Sequence, residues 1–379
     1  MTATCRPSER LQKINTIDWG KGSSAVGDEG STHSRQAVKP LEGEGLKLLR
    51  NGPRVAEVLT ALSSNGWRVE GCRAQVLQAS RSRPVLRYRV DYVDHGTKSS
   101  VEKIVIGKAY YRGEGTRTYD VMRELWFGGF AEDPDLTIAE PLAWIPELQL
   151  LLQAPAAGHA LYERLNDPDS ALGEVRATGR WLAKLHALPG GTIDPLPADH
   201  ETRKLTTYSA ELAKVLPGSA VRIAALTASV LEALAIAENT APVPTHGDYQ
   251  PKNIYVADSL VTVIDWDRVA LAHPARDLGH FLGQSMTMSF SRTGSFDAIA
   301  AWNEAFLDGY RQGGAVIDAA LPAYLARTFL EILYYKLVVK PVKDPSFVPA
   351  WLDECERWSE VGTRAGAHDT VGAVDQTPC

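Results

Sequence analysis

Three oxygen-bearing side chains crowd into a short stretch of the chain: Asp248, Asn253 and Asp265. The first two lie in Thr245-His246-Gly247-Asp248-Tyr249-Gln250-Pro251-Lys252-Asn253, and the third ends Val263-Ile264-Asp265 before Trp266-Asp267. Hard divalent cations such as Mg²⁺ take oxygen ligands, usually one or two carboxylates completed by water and phosphate. Phosphoryl transfer needs little more: metal to neutralise the phosphates, a carboxylate to orient the attacking hydroxyl, and a lysine on the phosphate tail. Asp248 is the candidate base or orienter, and Asn253 and Asp265 are the candidate metal ligands. Lys108 is the candidate phosphate lysine, with Glu124 able to hold it by an ion pair. Ser80 and Ser82, in a turn, offer hydroxyls and nearby backbone N–H groups to phosphate, and Arg81 or Arg83 offers charge.

The elements that must position these residues follow from periodicity. Val85–Val93 alternates apolar and polar residues, as a half-buried strand does. The pattern predicts further strands over 74–78 and 101–111, and one or two over 142–152. In 101–111, Lys108 shares a face with Ile104 and Ile106, which is unusual for a solvated lysine. A helix is predicted over 119–130, carrying Glu124, and a helix start near Gly45, reopened by Pro53. Pro155 and Gly158 break the pattern as a hinge. Beyond it apolar residues recur at helical spacing over 171–188, 205–216, 221–237, 278–288, 296–312, 319–340 and 349–364. Between them lie two short strands, Ile254–Val256 and Leu260–Ile264. Asp248 and Asn253 therefore fall on a loop and Asp265 at a strand end. His246 and His186 read as hydrogen-bonding residues that shape the loop, and Asp277 as a bracing carboxylate.

Composition excludes several classes. The 379 residues carry 44% hydrophobic and 23% charged side chains and a formal charge of −6. That gives no reason to expect nucleic acid or an anionic membrane as partner. Cys5, Cys72, Cys355 and Cys379 are far apart, which argues against a zinc site or a disulfide framework and for free thiols in a reducing compartment. The N-terminus has no basic segment followed by an apolar run, and no stretch reads as 18 consecutive apolar residues, so a cytoplasmic location is expected. Residues 1–45, rich in Gly, Ser and charge, read as a flexible leader and 367–379 as a flexible tail. Between them the expected division is 46–153, a nucleotide-binding lobe, and 154–366, a helical catalytic and acceptor lobe.

The motifs His246-Gly247-Asp248 to Asn253, Ile264-Asp265-Trp266-Asp267, Pro274-Ala275-Arg276-Asp277-Leu278 and Leu182-Ala183-Lys184-Leu185-His186 resemble those of the aminoglycoside phosphotransferase and choline kinase-like superfamily. Lys108 and Glu124 match its strand lysine and helix glutamate. The resemblance implies an α+β, two-lobed protein-kinase-like fold: an antiparallel sheet lobe with one helix, then a larger helical lobe. It implies ATP or GTP held between the lobes with Mg²⁺, and phosphorylation of a hydroxyl on a sugar, aminosugar, aminoglycoside or amino-alcohol. It places Asp248 as catalytic base, Asn253 and Asp265 on the metal, Lys108 on the α/β-phosphates, and the nucleotide base against the backbone of Gln153, Ala154 and Pro155. The turn Ala79–Pro84 lacks the glycines of a phosphate-covering loop, which motivates the alternative of a nucleotide-binding pseudokinase or scaffold without turnover. No Ala-Pro-Glu segment is present, which disfavours protein phosphorylation. The acidic residues from Glu304 onward suit a cationic acceptor or a solvated helix face equally. Acceptor identity, nucleotide preference and oligomeric state are not encoded in any motif.

Overall fold

The structure, a computed structural model, describes Leu49 and residues 52–63, 67–80, 82–94, 96–236 and 240–371. The expected leader over 1–45, and Arg81, lie outside these residues. The chain divides into two compact units, one ending at Gly158 and the other beginning at His159.

In the first unit, α1 (Gly52–Ala61) precedes the long antiparallel pair β1 (Trp67–Gln78) and β2 (Val85–Asp94). Next come β3 (Ser100–Ala109), α2 (Gly115–Leu125), a short strand β4 (Leu136–Ile138), β5 (Pro141–Ile145) and β6 (Leu150–Gln153). The antiparallel sheet runs β1-β2-β3-β6-β5. Alternation decides its faces. Leu86, Tyr88 and Val90 of β2, Val105 and Ala109 of β3, and Leu150 and Leu152 of β6 join Val55 and Leu59 of α1 in one core. Lys108 lies on the other face, opposite Val85 and Leu151. That face is covered as well: Leu151 is fully buried, and α2 begins against Trp144, which pairs with Leu151.

Two elements of this unit differ from expectation in their bounds. β1 begins at Trp67 rather than near residue 74, because Arg68, Glu70 and Arg73 point outward and mask its apolar alternation. α2 begins at Gly115 and stops at Leu125. Residues 126–130 form a wider π-turn containing Gly129 at φ 157°, a conformation the Gly128-Gly129 pair permits.

The second unit opens with β7 (His159–Ala160), then α3 (Leu172–His186), α4 (His200–Val215) and α5 (Ala220–Ile236). A strand β8 (Val243–Thr245), the hairpin β9 (Ile254–Ala257) and β10 (Leu260–Val263), and β11 (Ala270–Ala272) follow. The rest is helical: α6 (Ala275–Thr293), α7 (Ala300–Gln312), α8 (Leu321–Tyr334) and α9 (Val348–Val371). Helix α9 passes the expected boundary at residue 366. Pairing of β8 with β11 was invisible in the sequence, since Pro242-Val243-Pro244 reads as a breaker. Pro244 is tolerated because a two-stranded pair leaves its second edge free of ladder bonds. Residues 217–235 average a hydropathy of 1.4, enough by length and composition to cross a membrane, although no single apolar run shows it. The helix α5 that they largely form packs against α4, α8 and α9. Helices α3 and α7 meet closely, since a Cβ on Gly309 would sit 1.9 Å from the Arg176 carbonyl oxygen. Between them an aromatic core of Trp181, Tyr249, Phe281 and Phe306 forms, the two phenylalanine rings 3.9 Å apart. Cys72 and Cys355 are free thiols.

Candidate active site

The segment after β8 is fixed from both sides. The buried Thr245 hydroxyl donates to the Ala270 carbonyl (2.8 Å). Asp277, in the first turn of α6 and fully buried, accepts the backbone N–H groups of His246 (2.6 Å) and Gly247 (2.8 Å). The His186 ring donates to the same carboxylate (3.4 Å) and accepts the Tyr310 hydroxyl (2.8 Å). Burial works against ionisation of Asp277, but the His186 hydrogen bond and the charge of Arg276 hold its carboxyl below the usual range. Gly247 takes φ 79°, and a Cβ there would lie 2.2 Å from the Arg268 carbonyl oxygen. Only glycine fits such a turn. On the far side of Asp248, Tyr249 points into the aromatic core, stacks on Trp181 at 5.5 Å and donates its hydroxyl to the Thr178 carbonyl (2.8 Å).

Asp248 is thus held by its neighbours at both ends. Its N–H donates to His246 Nδ1 (3.2 Å), while His246 Nε2 donates to the Ile264 carbonyl (2.9 Å), which fixes the ring and ties the loop to the end of β10. Asp248 Oδ1 accepts from Gln250 Nε2 (2.9 Å) and from His280 Nε2 on α6 (3.0 Å), with Arg268 Nη1 at 3.9 Å. Oδ2 accepts from Asn253 Nδ2 (3.0 Å). Burial favours the neutral acid, yet the His280 hydrogen bond and the charges of Arg268 and His280 hold the carboxyl far below its ordinary value. Asp248 is therefore a fixed carboxylate.

Asn253 ends the short 3₁₀ turn Pro251–Asn253, and its amide nitrogen also donates to the Asp248 carbonyl (3.0 Å). Two acceptors on one side identify that side as the NH₂ group and turn Oδ1 away. The Asn253 carbonyl accepts the Ile264 N–H (3.0 Å), so the residue before Asp265 is bonded directly to Asn253. Asp265 itself is left-handed, at φ 72°. A non-glycine residue held in that region reflects surrounding constraint and clusters at functional sites. An amide oxygen and a carboxylate are the hard donors that Mg²⁺ accepts, and phosphate and water complete such a shell. Among the described residues no group of three or more His, Cys, Asp or Glu side chains is placed to hold a metal ion.

Behind Asp248 stands an ionic network that sequence reasoning missed. Glu331 on α8 accepts from Lys204 (2.7 Å), Arg268 (3.2 Å) and Arg327. Arg327 also donates to Glu201 (2.8 Å), and Arg276 Nη1 donates to the Thr245 hydroxyl (3.1 Å). Burial raises the Glu201 carboxyl, but Arg327, Lys204 and Arg276 together hold it down to about 2. Buried charges persist only when paired in this way. The available signal was local spacing, Glu201 with Lys204 and Arg327 with Glu331, each pair sharing a helix face.

The first unit places the remaining candidates separately. Lys108 is half-buried on β3, its ammonium 5.4 Å from the Tyr110 ring centroid, and Glu124 is half-buried in the last turn of α2. Ser80 and Ser82 lie in the β1–β2 turn, where the Ser80 hydroxyl accepts the Arg83 N–H (3.2 Å) and Ser82 is buried. Arg83 grips Glu114 at the start of α2 through two hydrogen bonds (2.9 and 2.6 Å). Its charge is thus already engaged. Gln153 and Ala154 are buried at the end of β6, and the Ala154 N–H donates to the Glu140 carbonyl (2.9 Å). With Pro155 lacking an N–H, the free hydrogen-bonding groups of that segment are mainly carbonyls.

Residues 113–321 match the sequence pattern of the phosphotransferase enzyme family. The chain belongs to that family. The match includes Glu124, Gln153–Pro155, Asp248, Asn253, Asp265 and Asp277, but not Ser80, Ser82 or Lys108. Among solved structures, this phosphotransferase is similar to a choline/ethanolamine kinase family protein from Mesorhizobium loti. The two are 16% identical with a TM-score of 0.56, over 85% of this chain and 99% of that one. It is also similar to an amicoumacin kinase (15% identity, TM-score 0.51, 76% of this chain and 88% of that one). A glucosamine kinase shares 17% identity and a TM-score of 0.51, over 85% of this chain and 88% of the other. At these identities the likeness is one of fold, the two-lobed α+β fold expected from the motifs. No curated protein matches the chain by sequence.

Proposed function

We propose that this phosphotransferase moves the γ-phosphate of ATP or GTP, as its Mg²⁺ complex, to a hydroxyl of a small molecule. The observation that carries the reading is the state of Asp248, an ionised carboxylate held by three donors, one of them the Asn253 amide. A carboxylate has about four acceptor positions. Gln250 and His280 take those of Oδ1 and Asn253 takes one on Oδ2, which leaves one on Oδ2 for the acceptor hydroxyl.

So depressed a carboxyl is a weak proton acceptor in the ground state. Asp248 therefore acts first by orienting the hydroxyl, and takes its proton late, as the attacking oxygen loses electron density. The acceptor oxygen forms its bond to the γ-phosphorus, the bond to the bridging oxygen breaks, and the nucleoside diphosphate leaves with that electron pair. The hydroxyl proton passes to Asp248 and then to solvent. Asn253 and Asp265 would hold the Mg²⁺, which neutralises charge on the phosphates when bound. Lys108, steadied by Glu124, is assigned to the α/β-phosphates, Ser80 and Ser82 to the phosphate tail, and Gln153, Ala154 and Pro155 to the base. A cytoplasmic location accords with this reading. The names of the similar structures, a choline/ethanolamine kinase family protein, an amicoumacin kinase and a glucosamine kinase, support a small-molecule acceptor.

The test is nucleotide consumption with Mg²⁺ against a panel of hydroxyl compounds, comparing Asp248→Asn with the parent. The expected fall in kcat is at least 10²-fold, at the lower end of what a positioned acid or base contributes. Full turnover in the variant would remove Asp248 from the reaction, and nucleotide binding without any turnover would favour the scaffold reading.

A further inference from the structure

The acidic residues that follow Glu304 are engaged within the protein. Glu304 and Asp308 pair with Arg311, and Asp353 and Glu356 with Arg222. Glu354 pairs with Arg357, Asp318 accepts from Thr240, and Glu331 serves three cations. The acidity that would welcome a polycation is spent on intramolecular partners.

The opposite holds for three cations near the catalytic loop. Lys252, immediately before Asn253, places its ammonium 5.1 Å from the centroid of Tyr162, and the Arg292 guanidinium lies 4.6 Å from the same ring. Arg292 is otherwise bonded to the Met288 carbonyl (2.8 Å) and to Asn166 Oδ1 (3.3 Å), both neutral. Lys336, in the π-turn 335–339 after α8, reaches the Ser291 hydroxyl (3.4 Å) and sits over Trp351 (5.2 Å) and Phe347 (5.6 Å). None of the three has a carboxylate within ion-pair distance among the described residues. Burial, and then the charge of Lys252, push the Lys336 ammonium below its ordinary value, so Lys336 feels the charge of Lys252. Aromatic faces offset part of that repulsion, and an anion would offset it directly. Beside Lys336 opens a cavity of about 300 Å³, lined also by Phe290, Ser291, Val342, Asp344, Ser346 and Phe347. The Asp344 carboxylate accepts the Ser346 N–H (2.9 Å).

We infer that Lys252, Arg292 and Lys336 form an anion subsite for the acceptor, so that this phosphotransferase acts on a hydroxylated small molecule bearing a carboxylate or phosphate group. The inference rests on the kinase reading above. Two of its three residues stand on α6 and beyond α8, while Lys252 links them to the loop of Asp248. Lys336 lies past residue 321, outside the family match, where acceptor choice is free to differ between relatives. The transferred phosphate is the other source of such an anion, and the test separates the two.

Three matched triplets serve as acceptors with Mg²⁺-ATP and Mg²⁺-GTP: glucose, gluconate and glucosamine; glycerol, glycerate and serinol; ethylene glycol, glycolate and ethanolamine. Product is read as a mass gain of one phosphate. An acidic member is expected to exceed its neutral and amine counterparts at least tenfold in kcat/KM. The double variant Arg292→Ala/Lys336→Ala should raise the acceptor KM at least tenfold and leave the nucleotide KM within twofold, whereas Lys98→Ala, at an exposed cation in the first unit, should change neither. Preference for an amine or neutral member, or an acid preference that survives the double variant, overturns the inference while leaving the kinase intact. A rise confined to the nucleotide KM assigns the anion to the transferred phosphate and also overturns it. If no member is phosphorylated, calorimetric titration of gluconate and of inorganic phosphate decides. Binding weakened at least tenfold in the double variant supports the subsite and puts the fault with the kinase reading, and no binding to the parent protein overturns the subsite.

Discussion

Replacing Asp277 by Asn tests whether the buried carboxylate, rather than the loop's own sequence, sets the position of Asp248. The substitution keeps size and shape but removes the charge and converts one acceptor oxygen to an NH₂ group. Asp277 now accepts two backbone N–H groups, at 2.6 and 2.8 Å, and the His186 ring at 3.4 Å. A hydrogen bond to a charged group contributes about 1.5–3 kcal/mol, and a buried donor left unpaired costs about 1–3 kcal/mol. An asparagine retains one acceptor, loses one charge-assisted bond, and sets its NH₂ against a backbone N–H. Relief from burying a carboxylate offsets part of this, leaving a net destabilisation of about 2–4 kcal/mol.

Two readouts follow. The melting temperature of the second unit should fall by about 4–16 °C at roughly 2–4 °C per kcal/mol. Loop displacement moves Asp248 away from the hydroxyl it is proposed to orient, so kcat should drop at least tenfold, with the nucleotide KM much less affected. Both are measured on the purified full chain by calorimetry and by coupled nucleoside-diphosphate release. A variant with kcat within threefold of the parent and a melting temperature within 1 °C would refute the claim that Asp277 holds the loop.

Gly247→Ala forces a side chain onto a residue at φ 79° and into the Arg268 carbonyl, so a loss of about 2–4 kcal/mol is expected. An unchanged urea midpoint would refute it. Stability should also fall in two stages on acidification. Burial pushes the His200 imidazole from 6.5 down to about 4, so its neutral form favours the fold above pH 6.5 and that contribution is lost as pH drops towards 4. Glu201, held at about 2 against an ordinary 4.5, adds a loss between pH 4.5 and 2. Each contributes a slope of at most about 1.4 kcal/mol per pH unit, less for His200 because it is partly exposed. Melting curves of His200→Gln between pH 7 and 4 should be flatter than the parent's, and identical slopes would exclude His200.

Much of the catalytic loop was legible because its constraints are local. The His-Gly-Asp run places a left-handed glycine before a carboxylate, Tyr249 carries an apolar anchor, and Asn253 follows at a distance that lets its amide close on Asp248. Period-2 alternation identified β2 and β3 and put Lys108 on one face with Ile104 and Ile106, the structure then giving the core of that sheet to the other face, and period-3.6 patterns located most helices of the second unit. The pairing of β8 with β11 was not legible, since neither short strand alternates, and the β1 start was hidden by outward-facing charges. His280, Arg268 and the place of Glu331 behind Asp248 were equally silent. A histidine on α6, an arginine after β10 and a glutamate on α8 have no common spacing, and only packing of those elements around Asp248 gives them a shared purpose.

The sequence by itself determined the fold class and the local chemistry of the loop, because propensity, turn conformation and short-range hydrogen bonds act within a few residues. The tertiary structure decided what charge the loop meets. It engaged most of the acidic residues from Glu304 onward in ion pairs, turned Arg83 onto Glu114, and left Lys252, Arg292 and Lys336 facing aromatic rings. Electrostatic partners are chosen by distance through space, and residues tens of positions apart become neighbours only when the helices pack.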